Sequence, residues 1–381
     1  MTSTSVPIRN MQFIEPHRVN AGMPKLEICP KRSVSPYEFM PTWFFYTPVI
    51  VQCLAQGIRY GDICLPLVAN PSIELSGMVG ESKEAILDLA GSYAKEWIEP
   101  FIALTKTEAS LDTQVENALE KMETAGIEFP IVAKPDLGCR GVGVKLIGTL
   151  QQLEHYIEDF PQGARFLLQR KAPYEAEAGV FYVRYPGESK GKIISITLKY
   201  APSVVGDGKR TLKALIEHCP RASQLSHLYF PRHIDRLDSV PAENEEVRLA
   251  FAGSHSRGSI FRDGNQYISQ ALTDKLDDIL KDVDGYYYGR LDVKFENIQK
   301  LMQGEGFSIL EMNGASSEAT HIWDSSTPLK HIFATLLKQY RILFEIGLLN
   351  KKRGFKTPKL KTLLKAWRAE KNLVSHYPST D

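Results

Sequence analysis

The chain has 381 residues, of which 43% are hydrophobic and 24% charged, and its formal net charge is +1. This balance is typical of a globular protein, and the length excludes a small scaffold that depends on disulfides. The five cysteines form no CxxC pair, which favours a reducing compartment without structural zinc. We therefore expect a cytoplasmic protein with two or three folded units.

Residues 1–105 are predicted to form an N-terminal domain, whose fold the sequence leaves undetermined. The segment is interrupted by prolines and is rich in aromatic residues at 37–46. Its most apolar stretch, residues 43–54, is too short to span a bilayer.

The remainder predicts a mixed α+β protein, because helical and strand-like patterns alternate along it. Its predicted helices lie at 112–125, 150–159, 212–218 and 269–283 and beyond Pro328, and its predicted strands at 129–134, 144–147, 166–169, 178–184, 192–200, 286–295 and 307–312.

The first candidate site joins Lys134 to a glycine-rich loop, residues 138–143. A lysine at the end of a strand can place an ammonium group beside polyphosphate, and glycines let backbone N–H groups approach it closely. The loop matches neither a P-loop nor a dinucleotide fingerprint. A structural hairpin would explain the same glycines, and this alternative remains open.

The second candidate site is the trio Asp292, Glu311 and Asn313, on two predicted strands. Oxygen ligands on adjacent strands suit Mg²⁺ that completes its shell with water and nucleotide phosphates. Residues two apart on a strand face the same side, so Glu311 and Asn313 should point together. We expect the apolar neighbours Ile309, Leu310 and Met312 to bury the opposite face. The alternative is an ordinary surface strand.

Four motifs in order make residues 106–325 resemble the ATP-grasp superfamily. They are VAKP at 132–135 with its glycine loop, VVGDGKRTL at 204–212, GRLDV at 289–293 and LEMNG at 310–314. The second is similar to a segment of cyanophycin synthetases and bifunctional glutathione synthetases. The last two resemble the D-alanine:D-alanine ligase group.

The resemblance implies two α+β lobes that clamp ATP and a reaction in which ATP phosphorylates a carboxylate before an amine attacks the acyl phosphate. It also implies a set of nucleotide-binding residues: Lys106, Lys134, Gly138, Gly141, Gly143, Gln169, Arg170, Lys171, Ala172 and Glu177. Glu175 is the alternative to Glu177 for the ribose hydroxyls. Lys106 departs from the family pattern, because it lies closer to Lys134 than is usual.

The resemblance further assigns Lys199 to the transferred phosphate and Arg290 to the charge on the acyl phosphate. Asp292, Glu311 and Asn313 would hold Mg²⁺ or Mn²⁺. His255 and Arg257 would contact substrate, and so would the loop after Asn313, with Ser316, Ser317, Glu318 and His321. His255 and Arg257 fit a polar turn equally well.

The C-terminal segment is a separate basic element, with twelve Lys or Arg against two acidic residues between 330 and 371. Within it, Leu360, Leu363, Leu364 and Trp367 recur at helical spacing. A basic amphipathic helix of this kind can lie on an anionic membrane, or it can pack on its own domain. We expect no nucleic-acid partner, because no aromatic stacking platform accompanies the basic residues.

These patterns together predict an ATP-dependent carboxylate–amine ligase with small-molecule carboxylate and amine substrates. Its predicted parts are an N-terminal domain (1–105), a first ATP-grasp lobe (106–185), a second lobe (186–328) and a basic helical tail (329–381). The alternatives are an ATP-grasp phosphotransferase and a non-catalytic nucleotide-binding or membrane-adaptor module. Peripheral membrane contact through the tail and a homodimer are left open.

Overall fold

The computed structural model describes residues 19–26, 40–138, 141–254, 258–378 and 380. Within them, the strands form a four-stranded sheet in the order β1-β4-β2-β3, a five-stranded sheet in the order β11-β10-β5-β6-β9, and the pair β7-β8. All of the pairings are antiparallel. The strands are β1 (Phe101–Thr105), β2 (Ile131–Pro135), β3 (Lys145–Ile147), β4 (Arg165–Arg170), β5 (Ala176–Val183), β6 (Lys192–Tyr200), β7 (Ser203–Val205), β8 (Glu246–Arg248), β9 (Ile260–Asp263), β10 (Tyr288–Phe295) and β11 (Phe307–Asn313).

Several helices begin at a side chain that caps their first turn. Ser110, Thr149, Thr211 and Ser269 each accept a hydrogen bond from the backbone N–H three residues on, which satisfies a donor that the helix itself cannot pair. The helices are α1 (Thr42–Tyr60), α2 (Lys83–Leu87), α3 (Ser92–Lys95), α4 (Leu111–Thr124), α5 (Leu150–Asp159), α6 (Leu212–His218), α7 (Ser226–Arg232), α8 (Gln270–Lys281), α9 (Ile298–Met302), α10 (Leu329–Lys352) and α11 (Leu360–Val374).

Helices α4 and α5 pack against the four-stranded sheet. Their core-facing residues include Val115 and Met122 from α4 and Leu153 and Ile157 from α5, all of them buried. These residues recur at helical spacing, so the apolar pattern of each helix decides which face meets the sheet.

The five-stranded sheet is covered on both sides. Helix α8 contributes Leu272, Leu276 and Ile279 to the core on one side. On the other side, Ile342 and Ile346 of α10 lie in a cluster with residues of β5 and β10. Strand β5 is accordingly apolar over most of its length, whereas β10 alternates apolar residues with the charged residues Arg290, Asp292 and Lys294.

The two sheets meet at a β-bulge in β11. The register passes from Asp292 opposite Glu311 to Val293 opposite Ile309, which leaves Leu310 as the extra residue. Its carbonyl oxygen accepts hydrogen bonds from Lys134 Nζ at 3.0 Å and Gln169 Nε2 at 3.3 Å, both on the four-stranded sheet. A bulge residue is released from the ladder, and here it ties the sheets together.

The bulge corrects one prediction. Ile309 and Met312 are buried in the core, as expected, but Leu310 is only half-buried and lies on the wall of a cavity between the sheets. Strict alternation along β11 fails because the bulge inserts one residue into the period of two.

In both sheets, strands from different predicted domains pair with each other. Strand β1, at the end of the predicted N-terminal domain, pairs with β4 of the first sheet. Strand β5, in the predicted first lobe, pairs with β6 and β10 of the second.

The predicted elements from residue 112 onward are present. The structure also contains helices α1, α2, α3, α7 and α9 and strands β1, β7, β8 and β9, which the sequence did not predict. Helix α9 occupies the polar connector between β10 and β11, and α1 runs through the apolar stretch around Pro48. The tail is helical apart from a break between α10 and α11. Of the described helices, none combines the length and apolar character needed to cross a bilayer.

Candidate functional site

A cavity of about 740 Å³ lies between the two sheets. It brings together most of the predicted site residues from six separate stretches of the chain. Those that line it are Lys134, Gly138, Gly141, Gln169, Arg170, Lys171, Ala172, Glu177, Lys199, Arg290, Asp292, Glu311, Asn313, Ser316, Ser317 and Glu318. His321, from the predicted substrate loop, lies instead in a smaller cavity of about 380 Å³ with His331.

Lys134 is almost fully buried at the end of β2. Its ammonium group donates to Gln169 Oε1 at 2.8 Å and to the Leu310 carbonyl at 3.0 Å. Burial lowers the pKa of Lys134 to about 8, against the attraction of Glu311. Because these two oxygen partners are neutral, they do not cancel the positive charge of Lys134, which can therefore attract a phosphate.

The glycine loop turns through backbone conformations that side chains disfavour. Gly138, Gly141 and Gly143 have φ angles of +123°, +71° and +73°, in the region that glycine enters at little cost. Gly138 and Gly141 face the cavity. Gly143 does not: its N–H donates to Thr380 Oγ1 at 2.9 Å, so we assign it a structural part in the turn.

A network of charges crosses the five-stranded sheet. Lys199 Nζ lies 2.9 Å from Asp292 Oδ1 and 3.1 Å from Glu177 Oε1. Arg290 donates to both oxygens of Asp292, from Nε at 2.8 Å and from Nη2 at 3.2 Å. Arg290 and Lys199 hold the pKa of the Asp292 carboxyl below its ordinary value despite burial. Asp292 is therefore ionised at neutral pH.

Some of the predicted nucleotide-binding residues, including both candidates for the ribose hydroxyls, already have partners within the protein. The backbone N–H of Arg170 donates to the Pro100 carbonyl at 2.9 Å. Glu177 lies between Lys199 and Lys294, whose Nζ is 3.4 Å from Glu177 Oε2, and these cations lower its pKa although burial opposes them. Glu175, the alternative, pairs with Lys171 and Arg248.

The predicted metal ligands lie side by side on β10 and β11. Asp292 is directly opposite Glu311, and Asn313 is opposite Arg290. Among the described residues, no three His, Cys, Asp or Glu side chains come together as a metal site. Two carboxylates with a nearby amide fit a Mg²⁺ that also takes phosphate oxygens and water, and do not fit a metal bound by protein alone.

Three charged residues that the sequence did not single out also line the cavity: Glu81, Lys83 and Lys294. Lys83 Nζ donates to the Gly138 carbonyl at 2.8 Å and lies 3.7 Å from Glu311 Oε1. Glu81 accepts from the Gly314 N–H at 3.0 Å, and burial raises its pKa to about 7. The only local signal for Glu81 and Lys83 is Ser82, the cap of α2, which predicts a helix but no site.

Lys106, like Gly143, is a predicted nucleotide-binding residue that lies away from the cavity. It is absent from the cavity wall, and its Nζ donates to the Ile157 carbonyl at the end of α5, at 2.7 Å. Lys83 supplies a cation at the cavity instead. His255 and Arg257 lie outside the described residues.

No protein-family model and no curated protein matches the sequence. Among solved structures, D-alanine–D-alanine ligase from Bacillus anthracis matches with a TM-score of 0.39 and 15% identity, over 72% of this chain and 69% of that one. VanG D-Ala:D-Ser ligase from Enterococcus faecalis matches at 0.38 and 13%, over 71% and 62%.

A bifunctional glutathione synthetase from Pasteurella multocida matches with a TM-score of 0.35 and 14% identity, over 68% of this chain. The match spans only 35% of the synthetase. Similarity at this level says nothing about substrate or activity. The motifs of the chain resemble those of the ATP-grasp superfamily, and the solved structures that it matches include two D-alanine ligases and a glutathione synthetase.

Proposed function

We propose that the protein is an ATP-dependent ligase that joins a carboxylate to an amine and releases ADP and phosphate. The observation that carries the proposal is one cavity in which four cations, Lys83, Lys134, Lys199 and Arg290, surround the carboxylates Asp292 and Glu311 beside a glycine loop. Phosphoryl transfer depends on positioning and on neutralising charge, and this set of side chains supplies both.

Each cation has a separate part in the proposed reaction. Lys134 and Lys83 flank the glycine loop and would bind the nucleotide phosphates. Lys199 would contact the phosphate in transfer, and Arg290 would stabilise the acyl phosphate. Asp292, Glu311 and Asn313 would hold Mg²⁺, which would neutralise the phosphate oxygens when bound.

The proposed chemistry needs no nucleophilic side chain. The carboxylate of the first substrate attacks the terminal phosphorus of ATP, and the bond to ADP breaks. The amine then forms a C–N bond with the acyl carbon as phosphate departs. The residues of the cavity bind, orient and neutralise throughout.

The test is ATP turnover with Mg²⁺, measured on pools of carboxylates and amines. ADP and phosphate release that requires both substrates supports the ligase. Asp292→Asn and Lys134→Met should abolish it, and Lys106→Met, outside the cavity, is the matched control. ADP release without an amine, together with a stable phosphorylated product, would favour the phosphotransferase. Nucleotide binding with no turnover under any pair would favour the adaptor.

A further inference from the structure

One end of the cavity differs from the rest in its chemistry. Its wall includes Met40, Phe45, Tyr46 and Trp323, and Phe45 and Trp323 meet edge to face at 5.2 Å. None of these four side chains carries a charge, in contrast to the lysines, arginine and carboxylates described above. Contact with such a surface stabilises a bound apolar group, and the surface carries no charge that would attract a phosphate.

A single carboxylate, Glu318, lies in this apolar end. Its Oε2 accepts a hydrogen bond from Trp323 Nε1 at 3.2 Å. Among the described residues, no Lys, Arg or His forms an ion pair with it. Burial away from cations raises the pKa of Glu318 to about 7. A carboxylate without a cation in a cavity wall is costly to bury, and a cationic ligand would remove that cost.

Glu318 is also adjacent to the proposed reaction centre. Its backbone carbonyl accepts from Arg290 Nη1 at 3.4 Å, and Arg290 in turn holds Asp292. In the same wall, the buried hydroxyl of Thr320 has no hydrogen-bond partner among the described residues. A ligand bound to Glu318 would therefore lie near Arg290, the residue proposed to stabilise the acyl phosphate.

We propose that Glu318 and the apolar wall formed by Met40, Phe45, Tyr46 and Trp323 bind the amine substrate, as a primary ammonium that carries an aromatic or branched aliphatic group. This assignment rests on the proposed ligase function, because it names the substrate class of the same site. Glu318 binds the ammonium group, and the apolar wall selects what the nitrogen carries.

The proton balance of the step follows from this placement. Glu318 takes one proton from the ammonium, which leaves a neutral amine with a free electron pair. The nitrogen attacks the acyl carbon, the C–N bond forms and the C–O bond to phosphate breaks. A second proton passes from nitrogen to the departing phosphate, and Glu318 returns the first to solvent.

The experiment has a binding arm that does not depend on turnover. Phenethylammonium chloride is titrated into the full-length protein by calorimetry, beside ethanolammonium as a polar amine of similar charge. We expect the aromatic amine to bind at least tenfold more tightly, and Glu318→Gln to weaken it by about tenfold to a hundredfold, the range for loss of a charged partner. Glu305→Gln, at an exposed pair with Lys300, is the matched control.

The turnover arm measures kcat/KM for each amine, with Tyr46→Ala as a second variant of the wall. Tyr46→Ala should reduce the preference for aromatic over polar amines while ATP binding stays unchanged. Preference for polar amines, or kcat/KM for amine unaffected by Glu318→Gln, would overturn the subsite and leave the ligase standing. Binding that requires Glu318 without turnover of any amine would support the subsite and refute the ligase.

Discussion

Lys199 and Asp292 form an ion pair of 2.9 Å although their strands, β6 and β10, are not neighbours. Strand β5 runs between them, and Gly179 is the residue of β5 opposite Asp292. A Cβ atom at position 179 would lie 3.4 Å from Asp292 Oδ1 and 3.0 Å from Arg290 Cδ. The missing side chain is therefore what allows the charges to meet across the middle strand.

A graded substitution at position 179 tests this relationship. Gly179→Ala should be tolerated with a small loss of turnover, since the Arg290 side chain can shift. Gly179→Val should lower kcat by about tenfold or more and cost about 1–3 kcal/mol of unfolding free energy through overpacking. Steady-state kinetics and urea unfolding measure the two effects. Equal activity of the Val and Ala variants would contradict the account.

The lowered pKa of Lys134 predicts a pH dependence of nucleotide binding. The ammonium is charged below about pH 8 and loses its proton above it, so affinity for ATP should fall as the pH rises from 7 to 9. Lys134→Arg should remove this inflection, because arginine stays protonated throughout. Fluorescent-nucleotide titrations at constant ionic strength measure both profiles, and an unchanged inflection in the arginine variant would exclude Lys134 as its source.

Substitution of Lys83 and substitution of Lys106 should have different effects on turnover. Lys83→Met should raise KM for ATP or lower kcat by about tenfold or more, equivalent to about 1.4 kcal/mol, because it removes a cation beside Gly138 and Glu311. Lys106→Met should leave turnover unchanged and lower the unfolding free energy by about 1 kcal/mol, since only the bond to Ile157 is lost. The reverse outcome would restore Lys106 to the nucleotide site.

Helix α11 leaves its apolar stripe uncovered in the described structure. Leu360, Leu364 and Trp367 are 49%, 45% and 49% exposed, and basic side chains such as Lys361 and Lys365 share the helix. We propose that this face binds an anionic membrane surface. Sedimentation with phosphatidylserine vesicles should capture the protein, and added salt should weaken capture.

Substitutions on the exposed apolar face of α11 test the proposed membrane binding. Leu364→Ser with Trp367→Ser should abolish sedimentation and leave thermal stability unchanged, because neither side chain is buried. Ile234→Ser, an exposed apolar residue elsewhere, is the control. Binding that survives the double substitution, or that is equal on neutral phosphatidylcholine vesicles, would contradict the proposal.

The sequence by itself determined the local elements and most of the candidate residues. Helix α4 could be predicted because Val115, Leu119 and Met122 recur at helical spacing before Gly126. The strand that ends at Lys134 and the pair Asp292 and Glu311 were visible for the same reason: periodicity, caps and turn residues act within a few positions of the chain.

Only the tertiary structure decided which distant groups meet. Lys83 and Glu81 carry no signal in their own segment, yet packing of α2 beside the glycine loop brings them to the cavity. The bulge at Leu310 is likewise invisible in the pattern of β11, because it depends on how that strand pairs with β10. Contacts between segments far apart in sequence arise from the packing of whole sheets, and no local pattern encodes them.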